Sequence, residues 1–133
     1  MLREIEITSK IENICAIEKL IDEFSEELKL SSDLYGKILI ACIEGVNNSI
    51  VHGNKLDENK IVKFEVKEFN KKILIKISDQ GNGFDYSNVP DPTKPENIEN
   101  ISGRGVFLMK KLADDINFFE NGTVIEMIFN IEK

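Results

Sequence analysis

The sequence predicts an α+β fold of two layers, with helices on one face of a mixed, mainly antiparallel sheet. Three observations predict it. Two early segments carry apolar residues at three- and four-residue steps, the period of an amphipathic helix. Several later segments alternate apolar and polar residues, the period of a half-buried strand. Two short turn sequences, Asn70-Lys71 and Asn121-Gly122, join pairs of those strands, and hairpin neighbours are antiparallel.

Residues 2–7 form a short strand with Ile5 and Ile7 on one face. Ser9 caps a helix over about 10–28, whose Ile14, Ile17, Ile21, Phe24 and Leu28 share a stripe. Ser31-Ser32-Asp33 opens a second helix over about 32–52, ended by Gly53-Asn54 as a left-handed step. In residues 61–69, Val62, Phe64 and Val66 alternate with Lys63, Glu65 and Lys67. Residues 72–79 place Ile73, Ile75 and Ile77 on one face. Residues 86–101 hold all three prolines and read as a mobile loop. A short helix over about 105–113 and two strands, about 115–120 and 123–131, complete the chain.

The 133 residues make one domain, 1–133, long enough to bury a core without staples. Seventeen basic residues against 24 acidic ones leave a net charge of −7. That argues against a nucleic-acid binder working by phosphate neutralisation, and against docking on an anionic membrane. It leaves a nucleotide open, because one phosphate chain needs only local donors or a metal. No apolar stretch approaches the roughly 18 residues of a membrane span, and the N-terminus lacks a signal-peptide core. Cys15 and Cys42 lie inside helical patterns and read as buried, reduced thiols of a cytoplasmic protein.

Four clusters carry chemistry. Counting by twos from Ile73 puts Asp79 on the face to be buried, where a carboxylate needs a donor. Asp79-Gln80-Gly81-Asn82-Gly83 follows, with glycines that permit close backbone approach; taken alone, it is equally a strand-ending turn. Thr123 enters the apolar face of the last strand in the same way, and alone is equally a β-branched residue after a turn. Glu44, Asn48 and His52 recur every four residues on one helix stripe, with small Ala41 and Gly45 leaving room beside them. A carboxylate and a carboxamide one turn apart can hold a hard cation or orient a hydroxyl. A polar helix face is the commoner meaning of that spacing. Finally, Ser102-Gly103-Arg104-Gly105-Val106 opens an apolar helix, where amides attract phosphate. The P-loop string, zinc-ligand spacing and G-x-G-x-x-G are all absent.

In order and spacing, Glu-x-x-x-Asn, Asp-x-Gly-x-Gly, Gly-x-Gly and Gly-Thr resemble the motifs of the GHKL superfamily of histidine kinase-like ATPase domains, over nearly the whole chain. Within it, Glu44-Gly45-Val46-Asn47-Asn48-Ser49-Ile50-Val51-His52-Gly53 and the run from Gly105 to Asp115 are similar to the bacterial anti-sigma factor serine/threonine kinases. The resemblance implies ATP and Mg²⁺ as cofactors, Glu44 as general base, and Asn48 as metal ligand. It implies Asp79 as acceptor from the adenine amine, Gly83 beneath the base, and Thr123 beside it. Gly81, Phe84, Gly103, Arg104, Gly105 and Val106 are its further nucleotide-contacting positions, and residues 86–101 its lid. It also implies a STAS-type anti-sigma-factor antagonist as substrate, a sigma factor as partner, and a homodimer. A nucleotide-dependent protein-binding switch without catalysis is the alternative. Two positions depart from the family's usual alanine, Gly45 and Ser49. Some members carry an arginine before the Gly-x-Gly; here Ile101 and Ser102 stand there, and Arg104 lies between the glycines.

Overall fold

The computed structural model describes residues 1–82 and 101–131, apart from the side chains of 101–103. The strands are β1 (Leu2–Thr8), β2 (Ile61–Phe69), β3 (Lys72–Ser78), β4 (Asp115–Phe119) and β5 (Val124–Asn130). The helices are α1 (Ile14–Leu28), α2 (Ser32–Asn48) and α3 (Ile101–Leu112). The strands form one sheet in the order β1-β2-β3-β5-β4. Every pairing among the described residues is antiparallel.

Alternation decides which face is covered. Val62, Phe64 and Val66 of β2, Ile73, Ile75 and Ile77 of β3, and Ile125, Met127 and Phe129 of β5 are fully buried in one core. Ile17, Ile21 and Phe24 of α1, Ile38, Cys42 and Val46 of α2, and Val106 and Met109 of α3 pack in the same core. Burying each of the larger side chains stabilises the fold by about 1.5–3 kcal/mol. The opposite face of the sheet carries Glu4, Glu65, Lys67 and Lys76. Among the described residues, helices thus cover one side of the sheet, as the sequence predicts.

The β2–β3 turn is Asn70-Lys71, with φ of 48° and 61°, between the paired Phe69 and Lys72. Two left-handed residues give the twist a two-residue hairpin requires. The β4–β5 turn is longer. Glu120, Asn121 and Gly122 have φ of 50°, 60° and 91°, and pairing resumes only at Phe119 with Val124. Thr123 is therefore a turn residue (φ −76°, ψ −18°), not the first residue of the strand.

Further expectations are corrected. Ser9 does not cap a helix: its hydroxyl donates to the Lys60 carbonyl at 2.7 Å, and a 3₁₀ turn (Ile11–Asn13) precedes α1. Cys15 is exposed, because it lies off the Ile14–Ile17–Ile21 stripe; Cys42 is buried, which pushes its thiol well above the ordinary range. The second helix changes character at Asn48. Residues Ser49–Gly53 form a π turn, closed by Asn54 N–H on the Ser49 carbonyl at 2.8 Å. The left-handed step falls at Lys55 and Leu56 rather than at Gly53-Asn54. The last helix begins at Ile101, so Gly103 and Gly105 lie inside it. Neither glycine ends the helix, since one glycine costs only about 1 kcal/mol relative to alanine. Residues 86–100 of the expected lid lie outside the described residues, and residue 101 is helical.

Candidate nucleotide site

Asp79 follows β3 by one residue. Its N–H donates to the Thr123 carbonyl at 2.9 Å, which extends the β3–β5 ladder past Ser78 and Val124. Two positions far apart in sequence thus sit side by side at the end of the sheet. The Asp79 carboxylate turns back over the helix layer. Oδ1 accepts from Gly81 N–H at 2.8 Å, and the carboxylate packs so closely on Gly53 that a Cβ there has no space. Asp79 is only half-buried, yet burial is the larger influence and raises its pKa. The Gly81 N–H, Ser49 hydroxyl and Lys60 charge oppose that shift. Gly81 is equally constrained, since a side chain there would run into the Gly53 carbonyl.

Thr123 brings its backbone to Asp79, but its hydroxyl donates to the Glu120 carbonyl at 2.9 Å. The hydroxyl is held by its own turn because the three left-handed residues before it curl the chain back.

Glu44 and Asn48 lie one turn apart on α2 and so share a face. Asn48 is 5% exposed, and its Oδ1 is buried with no hydrogen-bond partner among the described residues. Such an atom costs free energy unless something completes it. Among the described residues, the Ser49 hydroxyl is the other buried side-chain atom without a hydrogen bond of ordinary geometry; it lies on the Asp79 side. Glu44 is half-buried beneath α3, and a Cβ on Gly105 would stand 3.2 Å from its Oε2. Gly105 therefore lets α3 close over the carboxylate.

Other expected positions do different work. The space beside Ala41 and Gly45 is filled. A Cβ on Gly45 would be 2.5 Å from Ile77 Cδ1 and 3.2 Å from Met109 Sδ, so its smallness seats α2 on the sheet. Val106 is fully buried in the core with Met109, and its side chain holds α3 down. Arg104 is exposed on α3. Gly103 is in the helix, and Gly83 and Phe84 lie outside the described residues. His52 falls in the π turn, which takes it off the α-helical phase of Glu44 and Asn48.

Gly53, Ser49, Asn54 and Gln80 belong to the site's architecture although sequence reasoning gave them no part in it. Gly53 had a legible signal, a glycine following a helical run. Only the tertiary fold shows that it faces a carboxylate.

The donor set suits a nucleotide with a hard cation. Asp79 offers a half-buried acceptor to a base amine, and Asn48 offers one neutral oxygen. Among the described residues, no cluster of three or more His, Cys, Asp or Glu side chains could cage a metal. A single protein oxygen is what Mg²⁺ takes when phosphates and waters fill its other positions.

A sheet covered on one face by helices, with an acidic strand end beside a helix bearing Glu and Asn, defines a two-layer α+β domain with a candidate nucleotide site. The chain belongs to the histidine kinase-like ATPase domain family, whose profile matches residues 7–129. It is 35% identical over 102 residues to the serine-protein kinase RsbW of Staphylococcus aureus, a match over 71% of this chain and 64% of that protein. It is 36% identical over 102 residues to the RsbW of Staphylococcus epidermidis, with the same coverage. The match thus spans less than two thirds of the length of these relatives. The fold is similar to the crystal structure of the RsbU and RsbW domains of a Mycobacterium tuberculosis protein. The TM-score is 0.69 at 13% identity, over 98% of this chain and 32% of that one. Among the described residues, no helix is long and apolar enough to cross a membrane.

Proposed function

We propose that this chain is an ATP-dependent serine/threonine protein kinase of the anti-sigma factor type. Its substrate is a STAS-type antagonist protein, and it sequesters a sigma factor. The observation that carries the reading is the buried Asn48 Oδ1, without a hydrogen-bond partner among the described residues, one turn from a carboxylate and on the same side of the sheet as Asp79. The names of its relatives support the choice of serine as acceptor.

Asp79 accepts a hydrogen bond from the adenine amine, and Thr123 fixes the backbone beneath it. Mg²⁺, when bound, neutralises charge on the phosphates, and Asn48 is the residue that would hold it. Glu44 accepts the proton of the incoming serine or threonine hydroxyl. The hydroxyl oxygen bonds to the γ-phosphorus, the bond from phosphorus to the β–γ bridging oxygen breaks, and ADP leaves. A loose transition state asks little basicity of Glu44, so positioning dominates. Closure of α3 over Glu44 at Gly105 keeps that carboxylate facing one way.

The test is transfer of labelled γ-phosphate to a STAS-domain protein, alongside calorimetry of Mg²⁺-ATP. Glu44→Gln binds ATP and transfers nothing; persistent transfer shows that Glu44 is not the base. Asn48→Ala loses the Mg²⁺-dependent part of the affinity. Wild type that binds no ATP removes the reading altogether. The same reading takes the protein as a homodimer in the cytoplasm, which sedimentation and cell fractionation test.

A further inference from the structure

Asn54 has no part in the roles assigned above, yet it is the hub of a polar network inside the fold. It is 1% exposed. Its Nδ2 donates to the Ser9 hydroxyl and to the Ile61 carbonyl, both at 2.9 Å. Its Oδ1 accepts from Gln80 N–H at 2.7 Å. The network continues outward: Ser9 donates to the Lys60 carbonyl, and Gln80 Oε1 accepts from Ile61 N–H, each at 2.7 Å. Backbone N–H of Asn54 closes the π turn on Ser49. One carboxamide therefore joins the end of β1, the start of β2, the π turn and the segment after β3.

The Asp79 carboxylate lies between two backbone walls. One is Gly53, the residue before Asn54. The other is Gly81 N–H, the residue after Gln80. Asn54 is bonded covalently to the first wall and, through Oδ1, to the residue that precedes the second. A hydrogen-bond network of this kind, centred on a buried carboxamide with both Nδ2 hydrogens and Oδ1 engaged, rigidifies what it touches. We propose that Asn54 is the positioning residue of the purine-base subsite: by clamping Gly53 and Gln80 it fixes the Asp79 carboxylate and sets how strictly the site demands an exocyclic amine on the base. This rests on the nucleotide reading of the site.

The test compares Mg²⁺-ADP with Mg²⁺-IDP, whose base carries an oxo group where adenine carries the amine. Affinities are measured by calorimetry on the full chain for wild type, Asn54→Ala and Ser9→Ala. A site built around a hydrogen bond rejects the mismatched base, so wild type prefers ADP by about a hundredfold. Asn54→Ala lowers that ratio about tenfold, through loss of ADP affinity with little change for IDP. A purely structural role weakens both nucleotides equally and leaves the ratio unchanged, which overturns the proposal. Should Asn54→Ala fail to fold, Ser9→Ala removes the distant partner of Nδ2 and the donor to the Lys60 carbonyl, leaving the Asn54 bonds to Ile61 and Gln80 in place. Its ratio falls in the same direction by about two- to threefold, and an unchanged ratio in that folded variant equally overturns the proposal. Wild type that binds neither nucleotide sinks the nucleotide reading itself, and wild type that binds both alike shows that the site does not read the amine and overturns the proposal. Discrimination in wild type that survives in Asn54→Ala sinks only the positioning role.

Discussion

The N–H of Asp79 donates to the carbonyl of Thr123 at 2.9 Å, joining the ends of two neighbouring strands one step beyond their last ladder pair. The bond uses only backbone, so it leaves the Asp79 carboxylate free to face the helix layer. That orientation makes Asp79 expensive for stability.

The cost has a sign that can be tested. Burial raises the Asp79 pKa in the folded state, so the folded protein holds that proton more tightly than the unfolded chain. The stabilisation from protonating Asp79 is present below the ordinary value near 3.8 and is lost as pH rises through the raised value. Asp79→Asn, which keeps an acceptor for Gly81 N–H, therefore raises the Tm of the nucleotide-free protein at pH 7. The gain shrinks as pH falls toward 3.8, while ADP binding is lost at every pH. Thermal scans across that range, with and without ADP, check both halves.

Gly53→Ala places a methyl group where the Asp79 carboxylate stands. The side chain or the turn must move, at a cost of about 1–3 kcal/mol. ADP affinity falls by more than that loss of stability explains. Denaturant unfolding set beside calorimetry separates the two effects.

Gly105→Ala brings a methyl group to 3.2 Å from Glu44 Oε2, tighter than an ordinary van der Waals contact. The carboxylate must shift by a few tenths of an ångström. Phosphoryl transfer then slows several-fold, since small misplacement of a reacting group is felt mainly in turnover. Nucleotide affinity changes little, and a kcat effect with nearly constant Kd is the expected pattern in single-turnover assays.

Gly36 offers a control away from the site. It lies within α2, and a Cβ there meets nothing within 4 Å. Gly36→Ala therefore stabilises the protein by about 0.5–1 kcal/mol, through helix propensity and a less flexible unfolded chain. Nucleotide binding is unaffected, so a rise in urea midpoint with unchanged ADP affinity is the result to look for.

Periodicity made the layers legible: Ile73, Ile75 and Ile77 announced both a strand and its buried face, and Asp79 followed by the same count. The Asn70-Lys71 hairpin was equally visible, because its two left-handed residues need no tertiary help. Less was visible where tertiary contacts decide. Ser9 has the chemistry of a cap, but the Asn54 amide claims its hydroxyl. Thr123 fits a strand by alternation, but three left-handed residues before it delay the strand by one position. Gly45 suggested an opening and instead admits Ile77 and Met109. The change from α to π geometry at Ser49 left no trace in residue type; its closing residue, Asn54, is held by tertiary hydrogen bonds to Ser9, Ile61 and Gln80.

The π turn also makes the segment after Asn48 a ruler. Five residues, Ser49 to Gly53, measure the interval between the candidate metal ligand and the glycine that receives Asp79. Many side chains along that interval can change without altering the measurement. Removing or adding a single residue changes it at once, because the helix would regain or overshoot its ordinary pitch and swing Gly53 around the axis. The interval from Asn48 to Asn54 is thus bound to a fixed count, and the exposed turn at Lys55 and Leu56 is tied to it, since Leu56 N–H donates back to the Ile50 carbonyl at 2.8 Å.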